Sequence, residues 1–254
     1  MRVTLDLNKS VEENASFYFD RAKKLKKKRE GALRTIEDTK RKLQRIEKRI
    51  DTTAPARKVV RKKKWYEKFR WFFTSEGYLC IGGRDATSNE IIIKKHAEPH
   101  DIVFHTDMAG SPFFVLKTEG NEPKDSIREV ADATATFSRA FKMGMTNSSV
   151  FMAKPEQITK QAESGEFLPK GAFVVRGKVT YLDNSINLAL GSYDDTVMAG
   201  PKESIEANCT EFVVVSQGDK KANDVAKQIK RKIGGEIDDI VRSLPTGSYS
   251  LRNF

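Results

Sequence analysis

The chain reads as an α+β (mixed α/β) globular domain preceded by a long basic coiled-coil helix, and three observations predict this. Positions 18 to 50 step by alternating fours and threes through Tyr18, Ala22, Leu25, Ala32, Ile36, Leu43, Ile46 and Ile50, with polar breaks at Arg29 and Thr39, which is a heptad seam. From residue 65 onward, short apolar strand-like runs alternate irregularly with helical patterns, neither a βαβ repeat nor an all-β meander. With 254 residues, 38% hydrophobic and 9% aromatic, the chain can build one sizeable core plus an accessory segment. The expected division is a helical arm over 1–50, a basic linker over 51–64 and an α/β domain over 65–254.

Each element has its own signal. Ser10 followed by Glu13 is a capping box, so the arm helix starts near Val11 and runs to about Ile50, roughly 60 Å at 1.5 Å per residue. A lone helix of this kind cannot bury its seam and needs a partner helix. The linker DTTAPARKVVRKKK has six basic residues among its last eight and will not pack. In KWYEKFRWFFTSEGYL the run FRWFF is expected as the first core strand, burying Phe69, Trp71 and Phe73 and leaving Trp65 and Tyr66 as exposed rings. IGGRDATSNEIII ends a strand in a tight Gly82-Gly83 turn that opens a helix over 86–97. DIVFHTDMAGSPFFVLK places strands near 101–105 and 113–117 around a Gly110-Ser111-Pro112 turn. Ser126 and Glu129 are read as a second capping box, for a helix whose Ile127, Val130, Ala131, Thr134, Phe137 and Phe141 share a face. Strands near 149–153, 172–182, 186–191 and 211–215, a turn at 155–160, and helices near 219–233 and 236–244 complete the domain. Pro245-Thr246-Gly247 closes it.

Charge separates the segments. Residues 21–70 hold 22 Lys+Arg against 6 Asp+Glu, whereas residues 71–254 carry a net of −3. A patch that dense either meets a polyanion, releasing counterions from each neutralised phosphate, or is the solvated face of a coiled coil. The candidate nucleic-acid contacts are graded by geometry. Arg61, Lys62, Lys63 and Lys64 offer unspecific phosphate affinity, and Trp65 offers a stacking ring beside them. Arg84, Asn89, Lys94 and Lys117 are candidates for oriented contacts, Arg84 because its planar fork suits a phosphate or a guanine edge. Gly82, Gly83, Gly110, Ser111 and Pro112 shape the turns, and Glu90, His105 and Asp107 complete the polar clusters. Asp85 belongs to the same cluster, or caps the helix that starts beside it.

Three segments, KWYEKFRWFFTSEGYL, IGGRDATSNEIII and DIVFHTDMAGSPFFVLK, resemble the NFACT-R domain, an RNA-binding module of the NFACT proteins of ribosome-associated quality control. GEFLPKGAFVVRGKVTYLD (165–183) is similar to the family in its Gly-Glu, Leu-Pro, Gly-x-Phe and Arg-Gly-Lys succession. VTLDLNKSVEENASFYFDRAKKLKKKREGA (3–32) looks like the family's central region leading into its antiparallel coiled-coil hairpin. The resemblance implies a cytoplasmic, ribosome-associated factor that binds a large ribosomal subunit carrying a stalled nascent chain, with rRNA and tRNA as partners. It also implies that the NFACT-N domain is lacking, so that the seam's partner helix would come from a second copy or from a separate chain containing NFACT-N. The competing class is a coiled-coil protein-interaction adaptor without direct RNA contact.

Other classes find little support. There is no G-x-S-x-G, no G-x-x-x-x-G-K-[ST], no H-E-x-x-H and no Cys-x-x-Cys, so no catalytic residue, metal site or cofactor is expected. His96 and His100 are read as ends of a solvent-facing helix, and Cys80 and Cys209 as buried thiols. No apolar run approaches the ~20 residues that span a bilayer.

Overall fold

The computed structural model describes residues 4–52, 61–161 and 168–252, and the side chains of the first helix up to position 44. Residues 53–60 of the expected linker, the seam side chains of Ile46 and Ile50, and Gly165 to Phe167 lie outside the described residues. The chain divides into two compact units, Met1–Lys62 and Lys63–Phe254.

The first unit is built on α1 (Val11–Thr52). Its capping box forms as expected, with Ser10 Oγ accepting from the Glu13 amide at 3.2 Å and Glu13 Oε2 accepting from the Ser10 amide at 2.8 Å. The preceding segment folds back on buried Asn14, whose Oδ1 accepts from Asp6 N and whose Nδ2 donates to the carbonyls of Asp6 and Ser10. Of the apolar seam, Leu25, Ile36 and Leu43 are each more than half exposed, while Tyr18 is half-buried.

The second unit runs β1 (Arg70–Phe73), β2 (Leu79–Gly82), α2 (Ala86–Lys95), β3 (Ile102–Thr106), β4 (Phe114–Leu116), α3 (Lys124–Thr136), α4 (Arg139–Met143), β5 (Val150–Ala153), β6 (Ile158–Thr159), β7 (Val174–Val175) and β8 (Thr180–Leu182). It continues through β9 (Ala189–Tyr193), β10 (Thr196–Gly200), α5 (Lys202–Asn208), β11 (Phe212–Lys220), α6 (Ala222–Ile233), α7 (Ile237–Ser243) and β12 (Tyr249–Arg252). An antiparallel six-stranded sheet takes the order β1-β2-β4-β3-β5-β8, a second sheet β10-β9-β11-β12, and β6 pairs with β7 alone. Helix α3 packs on β3, β4 and β5, α5 bridges β1 and β9, and α6 covers β11 and β12. One continuous core joins the sheets through Phe69, Phe72, Phe104, Phe114, Leu116, Leu188 and Leu190.

Several elements differ from the sequence reading, each for a tertiary reason. Ser126 and Glu129 do not cap α3, which starts after Pro123. Both are buried: Ser126 Oγ bonds Thr74 and Glu76, and Glu129 Oε2 accepts from Ser75 N and Ser204 Oγ, tying α3 to the β1–β2 turn and to α5. The strand expected over 172–182 is two short ones, because the carbonyls of Arg176 and Lys178 bond Gln157 Nε2 instead of a neighbouring strand. β10 and α5 are absent from the sequence reading. Gly200 ends β10, and Pro201 directly precedes the first turn of α5, where its missing N–H costs nothing. Tyr66, expected exposed, is 7% exposed and packs against Trp71 and Phe73. Phe69 and Trp71 are buried and Phe73 half-buried, and both cysteines are buried free thiols.

Candidate functional site

Pairing of β2 with β4 brings the first two polar motifs side by side. Gly82 sits opposite Phe114, and the Gly83 amide donates to the Phe113 carbonyl at 3.0 Å. Neither glycine has a positive φ, so the expected tight Gly-Gly turn is corrected: these positions need space, not a special backbone. A Cβ at Gly82 would stand 2.2 Å from the Phe114 ring, and one at Gly83 1.7 Å from Asn89 Oδ1. Asp85 accepts from the Ser88 amide at 2.8 Å and caps α2, whose second turn then carries Asn89 under the other motif. Asn89 is buried, its Oδ1 accepting from Phe113 N at 3.1 Å and its Nδ2 donating to Ser111 O at 3.4 Å.

The second motif closes on itself. Gly110 turns the chain at φ 80°, Thr106 and Ser111 share a hydroxyl hydrogen bond, and His105 Nε2 bonds Ser111 O at 3.2 Å. A carbonyl only accepts, so Nε2 carries a proton, and burial pushes the ring's pKa below its ordinary value, favouring the neutral form. The ring stacks on Phe113 with centroids 4.0 Å apart. A third segment, Pro169 to Phe173, is fastened to α2 where Gly171 N donates to Glu90 Oε1 at 3.1 Å. Lys160 pairs with the same Glu90 oxygen at 2.7 Å, and these two contacts pull the carboxyl down to about 2.

Between the three segments lies a cavity of about 470 Å³. Arg70, Arg84 and Lys170 bring positive charge to its lining, and His105, Phe113 and Phe173 bring rings. Arg70 reaches it from β1, its guanidinium 4.4 Å above the Phe137 ring and donating to Leu244 O at 3.2 Å. Burial, and then the neighbouring Arg84, lower the Arg70 pKa to about 10. Arg84 is lowered too, first by burial and then by Arg242. Its Nε is buried without a hydrogen-bond partner among the described residues. Neither arginine forms an ion pair with a carboxylate of the described residues within 4.0 Å.

Other sequence-chosen residues lie apart from this cavity. Lys117 is a structural tie: its Nζ is 2.6 Å from buried Asp101, 3.1 Å from Glu98 and 3.1 Å from the His96 carbonyl. Lys94 pairs with Glu90, and Asp107 accepts from Tyr181. Trp65 is about half exposed but one face stacks on His96, which corrects the reading of His96 as purely solvent-facing. Lys63 pairs with Asp239 and Lys64 with Asp194, while Arg61 and Lys62 belong to the first unit. Arg70, Lys170 and Phe173 were not singled out. Arg70 was hidden inside a core strand, and Lys170 and Phe173 lie some 85 residues from the first motif, although PKGAF sits in a stretch already distinctive in sequence. Among the described residues no group of three His, Cys, Asp or Glu could hold a metal, and no helix is long and apolar enough to cross a membrane.

The three segments thus enclose a cationic, ring-lined cavity in an α+β domain. Residues 68–177 match the family model described as the NFACT protein RNA binding domain, and residues 1–63 match the NFACT N-terminal and middle domains. The archaeal Rqc2 homolog aRqcH of Methanocaldococcus jannaschii is 40% identical over 204 residues, covering 77% of this chain and 30% of that protein. The ribosome quality control complex subunit NEMF of Homo sapiens is 35% identical over 178 residues (68% of this chain, 16% of that protein), and its Drosophila melanogaster homolog 34% over 195 (74% and 19%). The chain belongs to the NFACT family. It spans less than a third of the length of these relatives. The expectation that NFACT-N is lacking is overturned by the match of residues 1–63 to the N-terminal and middle domains.

Proposed function

We propose that the chain is an RNA-binding factor of ribosome-associated quality control, acting in the cytoplasm on large ribosomal subunits that carry a stalled nascent chain, as a binding protein and not an enzyme. The observation that carries this reading is a coincidence of position: every residue lining the cavity except Thr246 falls within the segment matching the RNA binding domain. The distribution of charge supports it. Residues 1–62 hold 20 Lys+Arg against 9 Asp+Glu, a helix suited to lie along phosphates, while residues 63–254 hold 26 of each. In this reading Arg61, Lys62, Lys63 and Lys64 contact phosphate unspecifically, Trp65 offers its free face to a base, and Arg84 makes the oriented contact. rRNA and tRNA are the partners. Asn89 and Lys117 hold the domain together. The exposed row Leu25, Ile36 and Leu43 favours a second role for the same helix, pairing with another helix in a coiled coil.

Footprinting on purified large subunits with and without a peptidyl-tRNA tests the proposal. Protection of discrete rRNA positions, stronger on the obstructed subunits, is the expected result. Co-sedimentation that is unaffected by salt and leaves no footprint would overturn it in favour of the adaptor.

A further inference from the structure

Arg70 and Arg84 have no direct ion pair among the described residues, although Asp239 and Asp85 act on Arg84 from longer range. The two guanidinium groups border one cavity, and no described carboxylate lies within ion-pair distance of either. One buried N–H, Arg84 Nε, has no acceptor among the described residues. Burying an unpaired cation and an unmet donor is costly, and the surrounding unit, with 26 positive and 26 negative side chains, had carboxylates to spare. Lys170 lines the same cavity, and the Arg139 guanidinium lies beside Gly110 at its edge. Asp85 also lines it, but its carboxylate is committed to the α2 amides. Two guanidinium forks plus an ammonium suit an anion with more than one charge and at least three oxygens.

Size and lining narrow the ligand. About 470 Å³ far exceeds what a bare tetrahedral anion fills and falls within the range of small-molecule sites. The remaining wall is aromatic: the Phe113 ring, with His105 stacked on one side and Phe173 edge-on at 5.4 Å. Rings beside a cationic fork are what a nucleotide uses, the phosphate held by charge and the base by stacking.

We propose that this cavity is a binding site for a nucleoside phosphoryl group, its dianionic end lying between Arg70 and Arg84 and its base or sugar against the Phe113–Phe173 wall. The phosphoryl group can belong to a free mononucleotide or to the phosphorylated end of an RNA strand. The second source deepens the RNA-binding reading and rests on it; the first does not need it.

Calorimetric titration of the full chain with AMP, adenosine, inorganic phosphate and glutarate tests the site, alongside a short single-stranded RNA with and without a terminal phosphate. Saturable AMP binding is expected, with adenosine weaker by about tenfold to a hundredfold, the loss of charge-assisted hydrogen bonds. Arg84→Gln should lose a similar factor for AMP, and Arg84→Lys should recover part of it. A preference for the phosphorylated RNA identifies a strand end as the source. AMP binding without that preference identifies a free nucleotide. Adenosine or glutarate binding as tightly as AMP, or a folded Arg84→Gln variant binding AMP like the parent, overturns the proposal. Should that variant fail to fold, the comparison of AMP with adenosine on the unaltered chain decides alone. Unphosphorylated RNA that binds while AMP does not would sink this site and leave the RNA-binding function standing.

Discussion

Asn89 spends both ends of its amide on the Phe113 and Ser111 backbone, so replacing it by Ala removes two hydrogen bonds and leaves the buried Phe113 amide unpaired, while Ser111 O keeps its bond to His105. A loss of about 2–4 kcal/mol in unfolding free energy is expected, measurable by denaturant titration. Gly82→Ala should cost about 1–3 kcal/mol, because its Cβ would sit 2.2 Å from a fully buried ring. His105 gives a pH signature. Its folded pKa lies below 6.5, so the unfolded state takes the proton first, and stability is complete above 6.5 and declines as pH falls below it. His96 moves in the same direction. His105→Phe, which keeps a ring against Phe113 but cannot titrate, should flatten part of the decline in melting temperature between about pH 6.5 and 5. An unaltered decline assigns it to His96 or to carboxylates. At this scale the sequence was only partly legible. Motif position marked Arg84, Asn89 and Lys117 alike as polar and directed, yet whether such a side chain points into a cavity, a backbone gap or a carboxylate pair depends on which strands become its neighbours. Asp85 was the exception, since a cap is decided by its own next three residues.

Local signals carried the elements that are decided locally. The start of α1 follows from Ser10 and Glu13, and α2 from Asp85, because a capping box lies within one turn. Ser126 and Glu129 show the same spacing without the cap, since the β1–β2 turn and α5 compete successfully for both side chains. β10 and α5 were illegible because one Gly-Pro dipeptide ends the strand and begins the helix. The seam of α1 carries the prediction at this scale. Leu25, Ile36 and Leu43 are exposed rows that a partner helix would cover, and covering them stabilises association by roughly 25 cal/mol per Å² of apolar surface. The chain should therefore self-associate in solution, and Ile36→Asp with Leu43→Asp should render it monomeric by sedimentation with the near-ultraviolet spectrum of the second unit unchanged. A parent that is monomeric at every concentration would refute pairing between copies.

The formal charge of +11 resides entirely in residues 1–62, and residues 63–254 are neutral overall, so the two units should fail differently in the same binding experiment. Affinity from many phosphate contacts along a basic helix falls linearly with the logarithm of salt, at about 0.7–0.9 per contact, whereas a single enclosed site contributes at most a contact or two. Replacing Arg61, Lys62, Lys63 and Lys64 together by Ala should lower the salt slope by about 2–3, with little change in melting temperature. Four full contacts would give slightly more, but Lys63 and Lys64 already hold Asp239 and Asp194 in weak exposed pairs, which a phosphate must displace. Lys26, Lys27 and Lys28 changed to Glu should lower the slope further. Arg84→Gln should lower it by no more than one contact's worth, about 0.7–0.9, with its larger effect on ligands bearing a phosphoryl end. If the slope instead follows Arg84 and ignores the helix charges, the cationic arm is a solvated face and the nucleic-acid contact lies wholly in the neutral unit.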